Sequence, residues 1–144
     1  MWYHDAIKMK YLGIDYGRKK IGLAMSEGKL SEPYQVIRYA DYEKMIFHIK
    51  RIVEKQKVEN VVIGMSENEM GEEIKKFVEN MKTLLNSSSE KQSRLIPCIL
   101  SDETLSSHDA IEMSVASGMS RKKRKEMEDA FSASIMLQNY LDNK

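Results

Sequence analysis

One cysteine, Cys98, stands among the 144 residues, so no intramolecular disulfide can form, and its apolar run Leu95-Ile96-Pro97-Cys98-Ile99-Leu100 reads as a buried core thiol. Long hydrophobic stretches are missing too. Nothing approaches the roughly 18 consecutive apolar residues of a membrane-spanning helix. Met1-Trp2-Tyr3-His4-Asp5-Ala6 lacks the basic-then-apolar pattern of an export signal. The expectation is a reduced, cytoplasmic protein with no membrane partner. Charge of one sign is not in excess either: Lys plus Arg total 23 against 22 Asp plus Glu, for a net charge of +1. Nucleic-acid binding therefore needs a local basic patch. His4, His48 and His108 are too scattered to form a zinc site with the lone cysteine. There is no Gly-rich Walker loop, no G-x-S-x-G and no dinucleotide fingerprint.

What is present suits a globular chain. Hydrophobic residues are 42% and charged residues 31%, enough to bury a core, and the length predicts one domain over residues 1–144. Met9–Gly17, Ile21–Ser26 and Tyr34–Tyr39 after Pro33 read as three consecutive strands joined by turns. From Asp41, a candidate N-cap, the period changes: Met45, Ile46, Ile49, Ile52 and Val53 recur at helical spacing. Asn60–Gly64 has the β-branched pattern of a strand buried on both faces in a parallel sheet. Ile74, Phe77, Val78, Met81, Leu84 and Leu85 mark a second amphipathic helix, followed by a polar, aperiodic loop from Asn86 to Ser93.

Leu95–Leu100 is a fifth strand, placed at an edge because Pro97 cannot donate a ladder hydrogen bond. Ser106 and Asp109 resemble a capping box opening a helix to about Ser117, with Gly118 as its stop, and a last helix runs from about Glu128 to Leu141. This order predicts an α/β domain built on a five-stranded mixed sheet. An antiparallel meander of three strands is followed by two parallel strands, with helices flanking the sheet.

Three acidic positions stand out. Strand alternation puts Asp15 on the face opposite Ile14 and Tyr16, where a carboxylate is costly unless it is paired or metal-bound. A strand-end Asp that caps a turn accounts equally well for an isolated Asp-x-Gly. Asp102 and Glu103 follow the fifth strand directly, at the C-terminal sheet edge where α/β domains place their sites. Adjacent acids point apart, so one of the two serves, unless the pair only complements the next helix dipole. In the last helix, at about 100° per residue, Asp129 flanks the stripe Ala130, Ala133, Ser134, Leu137, Tyr140 and Leu141, whereas Glu128 lies opposite it. Glu126 would also approach the stripe if the helix began earlier.

Two basic runs lie beside these acids: Arg18, Lys19 and Lys20 near Asp15, and Arg121, Lys122, Lys123, Arg124 and Lys125 near Asp129. Either alone suits a solvated loop; their shared placement suggests contacts to nucleic-acid phosphates. Converging carboxylates repel unless a divalent cation neutralises them, and hard oxygen ligands suit Mg²⁺ or Mn²⁺. Two such ions about 3.5–4 Å apart hydrolyse phosphodiesters without a protein nucleophile.

The segment Leu12-Gly13-Ile14-Asp15-Tyr16-Gly17-Arg18-Lys19-Lys20-Ile21-Gly22-Leu23-Ala24-Met25-Ser26 resembles the opening motif of the YqgF family, also called RuvX, whose members have an RNase H-like fold. Val61–Gly64, Asp102–Ser107 and Asp129–Leu141 resemble the family's fourth strand, acidic motif and closing helix, in the same order. The resemblance implies that Asp15, Glu103 and Asp129 are catalytic, metal-binding acids and that Arg18 and Lys20 lie near the phosphates. It also implies an endonuclease that matures the 5′ end of pre-16S rRNA in ribosome biogenesis, with the ribosomal subunit as a possible partner, or one that resolves four-way DNA junctions. A resolvase needs a homodimer, whereas an RNA nuclease can act as a monomer.

The sequence departs from the family where Met65-Ser66-Glu67-Asn68-Glu69-Met70-Gly71 replaces a proline-containing loop and where Thr104 replaces an arginine. These departures motivate a different reading, a non-catalytic RNA- or ribosome-binding module. Gly13–Gly17 is also similar to the phosphate loop of actin-like kinases, but 144 residues make only one of their two lobes.

Overall fold

The computed structural model describes residues 8–65, 71–87, 95–101 and 115–144. Three strands come first, β1 (Lys10–Tyr16), β2 (Lys20–Glu27) and β3 (Ser31–Arg38). Helix α1 (Tyr42–Gln56), strand β4 (Asn60–Met65), helix α2 (Gly71–Asn86) and strand β5 (Cys98–Leu100) follow. The chain closes with a short helix α3 (Arg121–Glu126) and the long α4 (Glu128–Asn143). The sheet order is β3-β2-β1-β4-β5; β1, β2 and β3 pair antiparallel, and β4 pairs parallel with both β1 and β5. This is the expected mixed sheet of a meander plus two parallel strands.

Each face of the sheet has its own helices. Leu12, Ile14 and Tyr16 of β1 share a core with Ile21, Leu23, Ile37 and the apolar stripes of α1 and α2. The alternate residues Tyr11, Ala24 and Val62 pack under Ala133, Met136 and Leu137 of α4. The period-2 pattern of the strands meets helices on both sides, so β1 is buried after Lys10 and β4 is buried up to Met65. Asp41 caps α1 by accepting from the Lys44 N–H at 3.1 Å, and Lys57 ends the helix at φ 57°.

The prolines fit edge positions. β3 begins at Ser31, earlier than the run after Pro33 suggested, and Pro33 sits within it opposite Ala24 at a break in register. β3 is an edge strand, so the missing N–H costs nothing there. β5 is shorter than the apolar run around it. Pro97 immediately precedes it and accepts from the Val61 N–H through its carbonyl at 2.9 Å, and β5 is the other edge.

Asn86, the last residue of α2, bonds both the N–H and the carbonyl of Ile96, at 2.7 and 3.1 Å, and so ties the approach to β5 to the helix end. Gly118 has φ +80°, as its role as a helix stop requires. The rest of the helix expected from Ser106, up to residue 114, lies outside the described residues. The basic run 121–125 forms its own helix capped by Ser120, and Met127, at φ −101° and ψ 6°, separates it from α4. Among the described residues no helix is long and apolar enough to cross a membrane.

Candidate active site

Asp15 sits next to the C-terminal end of β1, on the α4 side of the sheet and 4% exposed. Its cross-strand neighbours are both glycines: Gly22 on β2 and Gly64 on β4. A row of Gly64, Asp15 and Gly22 leaves the carboxylate without side chains on either flank, and the space is taken by α4. A Cβ on Gly22 would lie 1.9 Å from the Asp129 carbonyl oxygen, and one on Gly64 would lie 3.0 Å from Cγ of Met136. Glycine at 22 therefore lets the first turn of α4 rest on the sheet, which brings Asp129 onto the face that carries Asp15. The helical phase that favoured Asp129 over Glu128 leads to the same placement.

Asp129 already holds a cation, since Lys20 Nζ lies 3.2 Å from its Oδ2. Lys20 starts β2 and Asp129 lies in the first turn of α4, so this ion pair spans the mouth of the site. Both side chains keep partial exposure, at 42% and 25%, which leaves the pair exchangeable with solvent ions. Further into α4, Ser31 Oγ donates to the Ser134 carbonyl at 2.5 Å and the Ser31 N–H to Gln138 at 2.9 Å. These bonds clamp the middle of the helix to the start of β3.

The β1–β2 turn has its own supports. Tyr39 donates its hydroxyl to the Gly17 carbonyl at 2.6 Å, and the Tyr39 N–H bonds the Lys19 carbonyl at 3.0 Å. Burial pushes the hydroxyls of Tyr16 and Tyr39 above the ordinary tyrosine range, so both stay neutral and act only as hydrogen-bonding groups. The Tyr16 ring also packs on Phe77 of α2, with centroids 4.5 Å apart.

Of the basic residues expected at the site, Arg18 makes a forked contact with Glu73 in the first turn of α2. Its Nε is 3.0 and 3.2 Å from the two carboxylate oxygens and its Nη2 is 2.8 Å from one of them. Glu73 gave no sign in the sequence beyond an acid near a helix start; only the tertiary fold brings α2 to the turn. Lys19 is exposed, as are Arg121, Lys122, Lys123 and Lys125 along α3, while Arg124 is half-buried. Glu103 lies outside the described residues, as do Asp102, Thr104, Glu67 and Glu69. The described strand leading to Glu103 ends beside the site, where the Ser101 N–H bonds the Ile63 carbonyl at 2.7 Å next to Gly64.

Asp15 and Asp129 offer donors of the chemical kind that a divalent cation takes. Their donors are hard carboxylate oxygens, one of them desolvated, and a lysine ammonium already balances the other. Among the described residues no group of three such ligands converges, and the expected third acid is Glu103.

A five-stranded mixed sheet of an antiparallel meander and two parallel strands, with helices on both faces, is an RNase H-like fold. Its fold matches that of the fowlpox virus resolvase solved in complex with a Holliday junction, with a TM-score of 0.51 at 10% identity, covering 92% of this chain and 99% of that one. Over residues 9–143 the sequence matches the family described as "RuvX: Holliday junction resolvase", and the chain belongs to that family. A relative from Desulforamulus reducens is 32% identical over 143 residues, covering 94% of this chain and 98% of its own. A second, from Thermoanaerobacter pseudethanolicus, is 31% identical over 145 residues with the same coverage. Each carries the description "Putative pre-16S rRNA nuclease".

Proposed function

We propose that this chain, as one domain over its whole length, is a divalent-metal-dependent endonuclease that acts in the cytoplasm on the 5′ end of pre-16S rRNA. The observation that carries this reading is the buried Asp15 between two glycines on the face where Asp129 opens α4. Asp15, Asp129 and Glu103 would hold Mg²⁺ or Mn²⁺ for phosphodiester hydrolysis. Ions bound there supply an activated water and stabilise the leaving oxygen of the phosphodiester.

The protein's own residues do the rest. Asp15, fixed on a central strand, is a rigid ligand whose position does not depend on loop order. Lys20 balances the Asp129 carboxylate and, at 42% exposure, would offer its ammonium to a substrate phosphate. Arg18, Lys19 and the α3 lysines and arginines neutralise flanking phosphates. The relatives described as pre-16S rRNA nucleases support RNA as the substrate.

The family description favours a second reading, cleavage of four-way DNA junctions by a homodimer. The changed 65–71 segment and Thr104 favour a third, a ribosome-binding module without catalysis. Mn²⁺-dependent cleavage of a labelled pre-16S rRNA fragment beside a four-way junction, with wild type and Asp129→Asn, separates them. RNA cut only by wild type supports the processing nuclease. Paired cuts in the junction support the resolvase, and tight RNA binding with no metal uptake supports the binding module.

A further inference from the structure

Arg38 ends β3 directly opposite Lys20 in the β2–β3 ladder. Ile37 points into the core with α1 and α2, so alternation puts Arg38 on the other face, the one that carries Asp15 and α4. Directly opposed residues on one face of an antiparallel pair have Cβ atoms about 4.5–5.5 Å apart, and like charges there are destabilising. Lys20 and Arg38 are such a pair. Lys20 has Asp129 as its partner, whereas Arg38 is exposed and has no acidic partner among the described residues. Among the described residues nothing offsets a second cation at that position, and an anion supplied from outside would.

The surroundings say which anion. Arg38 lies one row beyond Gly22 and Asp15 along the sheet, on the β3 side of the site. The basic helix α3 enters the same end of the molecule, because α4 begins over Gly22 and α3 immediately precedes it. Arg18, by contrast, is engaged by Glu73 on the α2 side. We infer that Arg38 and Lys20 together form a phosphate subsite, and that the bound nucleic-acid strand leaves the acids across the β2–β3 end of the sheet toward α3. This rests on the nuclease reading and adds to it the residue and the direction of the strand. The ligand recognised is a backbone phosphodiester one step from the scissile bond.

The test is the binding of a fluorescein-labelled single-stranded RNA from the pre-16S 5′ region, read by anisotropy in Ca²⁺ at several salt concentrations. Arg51→Ala on exposed α1, on the opposite side of the sheet, is the control. Arg38→Ala is expected to weaken binding about three- to tenfold and to reduce the salt slope by about 0.7, the value for one contact to a single strand. Arg38→Lys should restore the slope. Thermal stability of Arg38→Ala should equal or exceed that of wild type, because the like-charge pair is gone. RNA binding by Arg38→Ala indistinguishable from Arg51→Ala overturns the subsite while leaving the nuclease reading intact. Failure of wild type to bind either this RNA or a four-way junction overturns both.

Discussion

The Arg18 guanidinium grips the Glu73 carboxylate with both its Nε and its Nη2, joining the β1–β2 turn to the first turn of α2. Both side chains are about half exposed, so the pair contributes at most about 1 kcal/mol. On the proposed reading its role is competitive, because the carboxylate holds an arginine that would otherwise be offered to a substrate phosphate. Glu73→Gln is expected to raise RNA affinity about two- to fivefold, the equivalent of that small energy, with little change in melting temperature. Anisotropy titration checks it. A loss of affinity instead would mean that Glu73 orients Arg18 and does not compete for it.

The closeness of α4 to the sheet makes Gly22 and Gly64 unequal. Alanine at 22 meets backbone, the Asp129 carbonyl, which cannot step aside without lifting the helix, whereas alanine at 64 meets the flexible side chain of Met136. Gly22→Ala should cost about 3 kcal/mol of stability and Gly64→Ala less than about 1.5 kcal/mol, as urea denaturation would show. Gly22→Ala should also lose nuclease activity out of proportion to its unfolding, since it displaces Asp129. Equal destabilisation by the two would contradict the close approach.

Replacing Asp15 by Asn keeps the shape and removes the charge. If Asp15 holds the proposed ion, cleavage should fall by at least about a hundredfold, because bound metal supplies several kcal/mol of transition-state stabilisation. Mn²⁺ should raise the melting temperature of wild type and not of Asp15→Asn. A metal-dependent shift retained in the variant would remove Asp15 from the ligand set.

Burial pushes the Cys98 thiol up to about 11 from its ordinary 9.0. At neutral pH only about one molecule in ten thousand then carries a thiolate, so a disulfide reagent should label Cys98 at a useful rate only after denaturation. The folded pKa is raised, so this group's stabilising contribution is complete below about pH 9 and fades as pH climbs toward about 11. Tyr16 and Tyr39, also raised, extend the loss to still higher pH. Urea midpoints measured between pH 8 and 11 should fall, and Cys98→Ala should flatten the first part of that decline.

Much of the architecture was legible from hydrophobic period alone. The α1 stripe Met45, Ile46, Ile49, Ile52 and Val53 is the buried set of that helix, and Asp41 is its cap. Asp15 could be assigned to the face opposite Ile14 because strand alternation is a local rule, and Asp129 could be preferred because helical phase is another. The break at Met127 was not legible, since a basic run has no apolar period to show where a helix starts or stops. The β3 boundary was misplaced by the usual meaning of proline, which an edge position suspends.

The sequence by itself determined the class of the sheet and the family, because these depend on residue type, spacing and order along the chain. Only the tertiary structure decided which groups meet. Glu73 reaches Arg18 across 55 positions and Arg38 faces Lys20 across a ladder. Asp129 settles over Gly22 because a missing Cβ leaves room for a helix. Such contacts depend on register and on the distance between packed layers, and a periodic pattern specifies the face of an element without specifying what lies across from it.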